Sequence, residues 1–303
     1  MRIAVLFILT FTLTLTQATA QKAMTLSQYM HNRFAINSSF GGSRDALSLF
    51  GSFRKQWAGM PQSPHAQYFT GHTPLTNANM AMGLQVFNET FAIKNNFGAS
   101  LSYTYRVHLN PYTWMAFSAS GGFSNYAINW TNVTLEEPDP TVFGGNEAST
   151  GPQAGFGWSI YNDRFFAGIS VPEFFYHDFD QLDGTNFDPE KIDYLLTGGY
   201  MFDLAPTLML QPSFLLKVNQ ETGIWSDLSG TMVYDKKIWA GVTYRTLDEL
   251  VFLTGWQLMP QIRMAYSYDY SMGEIGNFNQ GSHEISIQYD FGYQINTPSP
   301  KFF

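Results

Sequence analysis

Apolar and polar residues alternate with a period of two along much of this chain. The pattern is clearest in the stretches 100–107, 238–245, 262–270 and 284–291. In the last of these, Ile285, Ile287, Tyr289 and Phe291 alternate with Glu284, Ser286, Gln288 and Asp290. Successive side chains of a β-strand point to opposite faces, so each stretch predicts a strand with one apolar and one polar face.

About fourteen such strands can be placed along the chain. Their predicted spans are 46–57, 64–73, 78–88, 96–107, 111–124, 150–161, 164–172, 192–203, 206–217, 225–235, 237–246, 249–259, 261–270 and 282–292. Each strand has an aromatic or aliphatic face and a face of small polar residues. An even number of such strands is typical of a barrel with a lipid-facing wall and a wet lumen. The predicted fold is all-β, a closed antiparallel transmembrane β-barrel.

The connections between these strands divide into two groups. Every second connection is short: 74–77, 108–110, 162–163, 204–205, 236 and 260. The other, alternating group contains all the long connections: 125–149, 173–191, 218–224 and 271–281. That group also contains two short connections, 58–63 and 247–248. Short periplasmic turns and long extracellular loops are the outer-membrane arrangement.

Composition favours the same class. Charged residues are only 13% and aromatic residues 17% of the chain, which suits a lipid-facing wall with aromatic girdles. Composition alone also allows an aromatic-rich secreted β-sandwich. The net charge of −8 argues against nucleic-acid binding, and the lack of cysteine excludes disulfides and thiolate metal sites.

The ends of the chain complete the predicted organisation. Arg2, the apolar run Ile3 to Leu15 and the Ala18-Thr19-Ala20 cleavage site make residues 1–20 a signal peptide. We expect a periplasmic lead-in at 21–45, the barrel at 46–292 and a periplasmic tail at 293–303. The expected location is therefore the outer membrane, with both termini periplasmic.

Several charged residues have the parity of the polar face and should line the lumen. The predicted network comprises Arg54, Arg106, Arg245, Arg263, Asp269, Glu284 and Asp290, with Lys217 as a further candidate. Charges on the lipid face would cost about 2–4 kcal/mol for Arg or Lys near the midplane, which supports an inward position. These groups either fill and rigidify the lumen or hold a plug or partner segment there.

No catalytic, cofactor-binding or metal-binding residues are predicted. The six histidines form no paired metal motif. Ser282 and His283 are neighbours on one strand and should face opposite sides, so an outer-membrane hydrolase is disfavoured. Acidic residues in 125–149 and 173–191 could bind Ca²⁺, but Asp178, Asp180 and Asp183 lack the full EF-hand ligand set, so a solvated acidic loop is the simpler interpretation.

Two groups of residues are candidates for partner binding. Phe174, Phe175, Tyr176 and Phe179 lie next to acids in a predicted external loop. Gln28, Tyr29 and Met30 lie in the lead-in, which either packs against or into the lower mouth of the barrel or docks a periplasmic partner.

A set of short stretches carries a resemblance to a known family. They are Gln28-Tyr29-Met30, Phe53-Arg54-Lys55-Gln56-Trp57 with Gly59 and Pro61 to Pro64, Phe166 to Pro172, Gly198-Gly199-Tyr200, Gln211-Pro212-Ser213, Trp239 to Arg245, Tyr266 to Tyr270 and Gly281 to Ile285. Because these stretches occur in the same order as in the family, the chain resembles the PorP/SprF family of outer-membrane proteins. It departs from the family at Asn37 to Gly42, where an Asn-Pro-Ala-like turn is usual, which leaves the local turn open.

The resemblance implies a barrel of the type IX secretion and gliding machinery of Bacteroidetes-type bacteria. Its members are expected to help export or anchor large surface proteins, such as adhesins with a C-terminal sorting domain, and to meet peptidoglycan-linked and ring-forming periplasmic components. The alternative is a passive or selective channel for small solutes, because a barrel of this width can hold an aqueous pore unless it is filled. In both cases the protein is expected not to be an enzyme.

Overall fold

The computed structural model describes residues 26–130, 147–177, 185–246 and 249–292. Over these residues the chain forms a closed, fourteen-stranded antiparallel β-barrel, which confirms the predicted fold. Each wall strand pairs with its neighbour in sequence, and the first strand pairs with the last to close the wall. At that seam Leu47 lies opposite Phe291 and Lys55 lies opposite His283.

All fourteen predicted strands are present. They are β1 Leu47–Lys55, β2 His65–Pro74, β3 Met80–Phe91, β4 Lys94–Asn110, β5 Thr113–Ile128, β6 Glu147–Tyr161, β7 Phe165–Val171, β10 Tyr194–Tyr200 continued by β11 Phe202–Ala205, β12 Leu208–Asn219, β13 Gly223–Tyr234, β14 Ile238–Arg245, β15 Glu249–Met259, β16 Ile262–Ser271 and β17 Ser282–Phe291. We count β10 and β11 as one wall strand interrupted at Met201, because both pair with β12.

Several small elements lie outside the wall. The hairpin of β8 (Tyr176–His177) and β9 (Thr185–Asn186) belongs to the connection after β7 and was not predicted. A single helical turn, α1 (Arg33–Ile36), and a 3₁₀ turn (Ser38–Phe40) precede β1 in the chain, and another 3₁₀ turn (Glu274–Asn277) precedes β17. Among the described residues, no helix has the length and apolar character needed to cross a membrane.

The two faces of the wall follow the predicted alternation. On β17, Ile285 is 49% exposed on the outer face, whereas Glu284 is 1% exposed on the inner face. An outer wall of uncovered aliphatic and aromatic side chains is stable only against lipid, because in water it would be a very large apolar patch. The alternation therefore separates a lipid face from a polar interior.

The connections define two ends of the barrel. At the end where β1 starts, here called the short-turn end, the connections are 75–79, 111–112, 162–164, 206–207, 235–237 and 260–261. The opposite, long-loop end carries 129–146, 172–193 and 272–281. One predicted length is wrong. The connection predicted at 218–224 is the tight turn 220–222, which is followed by Gly223 in the left-handed region (φ 86°). The connection between β3 and β4 is also short and consists of residues 92–93.

Candidate functional site in the barrel lumen

Residues 26–46 run through the lumen and are called the plug below. Ser27 lies at the long-loop end beside Arg54 and Glu284, and the segment descends to the short-turn end, where β1 begins at Leu47. Tyr29 and Met30 are completely buried inside the barrel. The described part of the predicted periplasmic lead-in thus lies within the barrel and not below it.

A local turn at Asn37 shapes the middle of the plug. The Asn37 side-chain oxygen accepts hydrogen bonds from the Ser39 backbone N–H (3.0 Å) and the Ser39 hydroxyl (2.7 Å). Its amide nitrogen donates to the carbonyls of Trp158 and Ile169 in the wall. Asn side chains favour such turns because they bond to backbone two residues on. The turn lies in the stretch Asn37 to Gly42, where the sequence departs from the family pattern.

Gly42 lets the plug pass close to the wall at the short-turn end. Its φ of 71° is in the left-handed region, and a Cβ built on it would lie 2.6 Å from the Ala81 Cβ. Both constraints exclude a side chain at this position, since only glycine adopts that backbone conformation without strain and leaves the space free.

Wall side chains bind the main chain of the plug. Ser170 donates to the Ile36 carbonyl (2.6 Å), and Thr104 donates to the Ser38 carbonyl (2.9 Å). At Gly42, the N–H donates to His72 Nδ1 (3.1 Å) and the carbonyl accepts from Arg106 (2.6 Å). Contacts of this kind recognise a polypeptide backbone and not its side chains.

Six charged side chains, each from a different wall strand, meet at the long-loop end of the lumen. This charge cluster consists of Arg54, Asp227, Arg245, Glu249, Asp269 and Glu284. Arg245 binds Asp227 through two hydrogen bonds (2.8 and 2.9 Å) and Glu249 through a third (2.7 Å). Arg54 binds Asp269 (2.7 Å) and lies 3.4 Å from Glu284. Planar guanidinium groups suit such multiple carboxylate contacts.

The plug enters this cluster through Ser27. Its hydroxyl donates to Asp269 (2.6 Å) and accepts from Arg54 (2.6 Å), and its backbone N–H donates to Glu284 (2.8 Å). Sequence reasoning placed Arg54, Arg245, Asp269 and Glu284 in the lumen but missed Asp227 and Glu249. The parity of Asp227 with Ser229, and the position of Glu249 opposite Arg245 in the β14–β15 hairpin, were signals that could have found them.

The other predicted lumen charges lie elsewhere. Arg106 is at the short-turn end, where it contacts Asp45 (3.1 Å) as well as Gly42. Asp290 is 3.4 Å from Arg44 of the plug, and Arg263 donates to Gln257 (2.6 Å). Lys217 contacts Asp193 near the long-loop end. The predicted residues therefore form separate groups along the lumen.

The predicted partner-binding residues occupy different environments. Gln28, Tyr29 and Met30 are buried in the plug, with the Tyr29 hydroxyl 3.2 Å from the Ser229 hydroxyl. Phe174 and Phe175 are half-buried in the connection after β7. Tyr176 belongs to β8, and Phe179 lies outside the described residues, as do Asp178, Asp180 and Asp183.

The described residues offer neither a metal-binding cluster nor a paired Ser282 and His283. No group of three or more His, Cys, Asp or Glu side chains is positioned there to hold a metal ion. Ser282 faces inward and accepts from the Trp57 N–H (3.1 Å), whereas His283 faces outward and contacts the Tyr266 hydroxyl (2.7 Å). The two groups are on opposite sides of the wall.

Glu173, in the connection after β7, has a shifted pKa. Burial, together with the nearby Glu89 carboxylate, raises the pKa of the Glu173 carboxyl from 4.5 to about 7. Gln153 donates to Glu173, which opposes the shift. Glu173 borders a cavity of about 40 Å³ between the wall and residues 34–38 of the plug, and a cavity of about 20 Å³ lies nearer the short-turn end. Cavities of this size hold a few water molecules at most.

The lipid-facing wall and polar interior define an outer-membrane β-barrel whose lumen is occupied by its own N-terminal segment. The family model described as "Type IX secretion system membrane protein PorP/SprF" matches residues 18–289. The chain belongs to this family, as its sequence stretches indicated. No curated protein matches the chain.

Solved structures of similar shape are barrels with very different sequences. The CymD monoaromatic hydrocarbon channel is 12% identical, with 88% of this chain and 94% of that chain covered and a TM-score of 0.50. Omp33 of Acinetobacter baumannii is 8% identical, with 82% and 100% covered and a TM-score of 0.47. At such identities the likeness concerns the fold alone.

Proposed function

We propose that this protein is a non-enzymatic barrel of type IX secretion that assists the export or surface anchoring of large cell-surface proteins. The cargo we propose is adhesin-like and carries a C-terminal sorting domain, and the mechanism is protein–protein binding. Family membership supports the secretion role. The observation that carries the proposal beyond the family is the filled lumen, since a plug bound through its main chain suits a protein-handling barrel better than a solute pore.

The proposed orientation has the short turns in the periplasm and the long loops outside the cell. Phe291 ends β17 beside Leu47 at the short-turn end, so the last described strand ends on the periplasmic side in this orientation. On that side we propose contacts with peptidoglycan-linked and ring-forming components of the secretion system. Because Ser27 lies at the long-loop end, Gln28, Tyr29 and Met30 are not available as a periplasmic docking segment in this conformation.

The solute channel remains the alternative function, and it makes an opposite prediction. The plug occupies the lumen, and the two cavities described above between plug and wall measure only about 20 and 40 Å³. We expect the purified protein to be silent in planar bilayers. A steady open conductance in the wild-type protein would favour the channel.

The experiment for the secretion role is deletion of the gene with complementation, combined with a gentle-detergent pull-down from native membranes. We expect loss of one or a few large surface proteins in the deletion strain and their co-purification, with periplasmic ring proteins, on the tagged barrel. Lys237→Ala provides a matched control, because Lys237 is exposed at a short turn and pairs only locally with Asp235 (2.7 Å). Recovery of nothing but lipid and general porins would contradict the proposal.

A further inference from the structure

The charge cluster contains more acids than bases. Two guanidinium groups, Arg54 and Arg245, face four carboxylates, and the plug contributes only the neutral Ser27. Asp269 Oδ1 and Glu284 Oε1 are buried and accept no hydrogen bond from any described residue. Buried carboxylate oxygens without donors are costly, so this position would bind an additional cationic donor favourably.

Several wall contacts to the plug do not require the plug's own sequence. Ser170, Thr104, His72 and Arg106 bind main-chain groups, which every polypeptide segment carries. Ser39 and Ser38 add hydroxyl contacts to Ser159 (2.7 Å) and Ser118 (2.8 Å), each a neutral pair of modest net strength. A competing segment could replace these main-chain bonds, whereas the side-chain bonds of Asn37 and Gln28 to the wall belong to the plug alone.

We propose that the lumen is a peptide-binding site, that the plug is its displaceable internal occupant, and that the competing ligand is a segment of a partner protein with Lys or Arg at the position of Ser27. This inference rests on the proposed function, because the partner is taken to be a secreted or anchored protein. The basic residue would fill the two unoccupied acceptors and bring the local charges closer to balance. A segment with an acidic residue there would be rejected by the four carboxylates.

Synthetic peptides test the charge requirement without altering the fold. The probes are fluorescent peptides of residues 26–45 with Ser, Lys or Asp at position 27, added to the purified full-length barrel and followed by anisotropy. We expect the Lys peptide to bind at least tenfold more tightly than the Ser peptide, and the Asp peptide to bind least. Equal affinity of the Lys and Asp peptides would overturn the proposal.

A disulfide lock tests displacement. The chain has no cysteine, so Ser38→Cys with Ser118→Cys creates the only thiol pair, and the 2.8 Å separation of the two hydroxyl oxygens suits a disulfide. We expect the oxidised protein to lose peptide binding and the reduced protein to regain it. The two single-cysteine variants are matched controls, and a heat-modifiability gel verifies that the barrel is folded. Unchanged binding to the locked protein would overturn the proposal.

The same lock separates this inference from the proposed function in cells. We expect the oxidised double variant to fail to deliver the surface protein that the wild-type barrel delivers. If the locked barrel delivers it normally, displacement of the plug is refuted and the secretion role stands. If a strain without the barrel delivers the surface protein normally, the secretion role itself is refuted.

Discussion

Replacing Arg245 with alanine should destabilise the barrel strongly. Its guanidinium is fully buried and joins Asp227, Glu249 and Asp269 at 2.7–3.3 Å. The alanine variant removes the guanidinium from Asp227 and Glu249, whereas Asp269 keeps its ion pair with Arg54 (2.7 Å). Removing one partner of a buried ion pair costs about 3–5 kcal/mol. Because Asp269 keeps its bonds to Arg54 and Ser27, we expect the lower end, about 3 kcal/mol, or roughly a hundredfold in the unfolding equilibrium.

Urea unfolding in detergent micelles, followed by tryptophan fluorescence, measures this loss. Arg164→Ala is the matched control, because Arg164 forms an ion pair with Asp203 (2.7 Å) that is more than half exposed on both sides, and such pairs contribute little. Arg245→Lys should fall between the two, since lysine keeps the charge but cannot bind Asp227 at two points. If Arg245→Ala and Arg164→Ala unfold at the same urea concentration, the cluster does not stabilise the fold and the reasoning is refuted.

Three further predictions concern other parts of the molecule. Tyr29→Phe should lose about 1 kcal/mol by removing the contact to Ser229, and Tyr29→Ala about 3 kcal/mol or more by leaving a cavity; equal unfolding curves for the two would contradict burial of Tyr29. Val242→Arg on the lipid face should lose about 2–4 kcal/mol in refolding into lipid vesicles, whereas Val242→Leu should be neutral. The pKa of Glu173 is raised from 4.5 to about 7 by folding. Its contribution to the free energy of unfolding is therefore most favourable below pH 4.5, falls as the pH rises to about 7 and is constant above that. Glu173→Gln should therefore melt higher than wild type at pH 8 and equally at pH 4, and an equal difference at both pH values would exclude Glu173 as the cause.

The wall of the barrel could be predicted from local pattern because each strand reports its own two faces. The alternation at 284–291 placed Glu284 and Asp290 inside and Ile285 and Phe291 outside, as the structure has them. Strand ends were less accurate. β5 extends to Ile128 and β6 begins at Glu147, because pairing between the two strands continues beyond the stretch that alternates clearly.

The contents of the lumen could not be predicted in the same way. Residues 26–46 have no periodicity that marks a binding surface, since their contacts come from many strands and fit the cavity by shape and by main-chain hydrogen bonds. The grouping of Arg54 and Arg245 with the same acids also depends on which strands curve to face each other across the lumen.

The sequence by itself therefore determined the membrane class, the number of strands and the direction in which each wall residue faces, because these depend on a period of two and on neighbours in the chain. The tertiary structure alone decided that the barrel is filled and that Ser27 reaches Glu284, a residue 257 positions away. Contacts at such separations depend on barrel closure, which brings distant strands together around an enclosed space, and no local pattern of residues encodes that space.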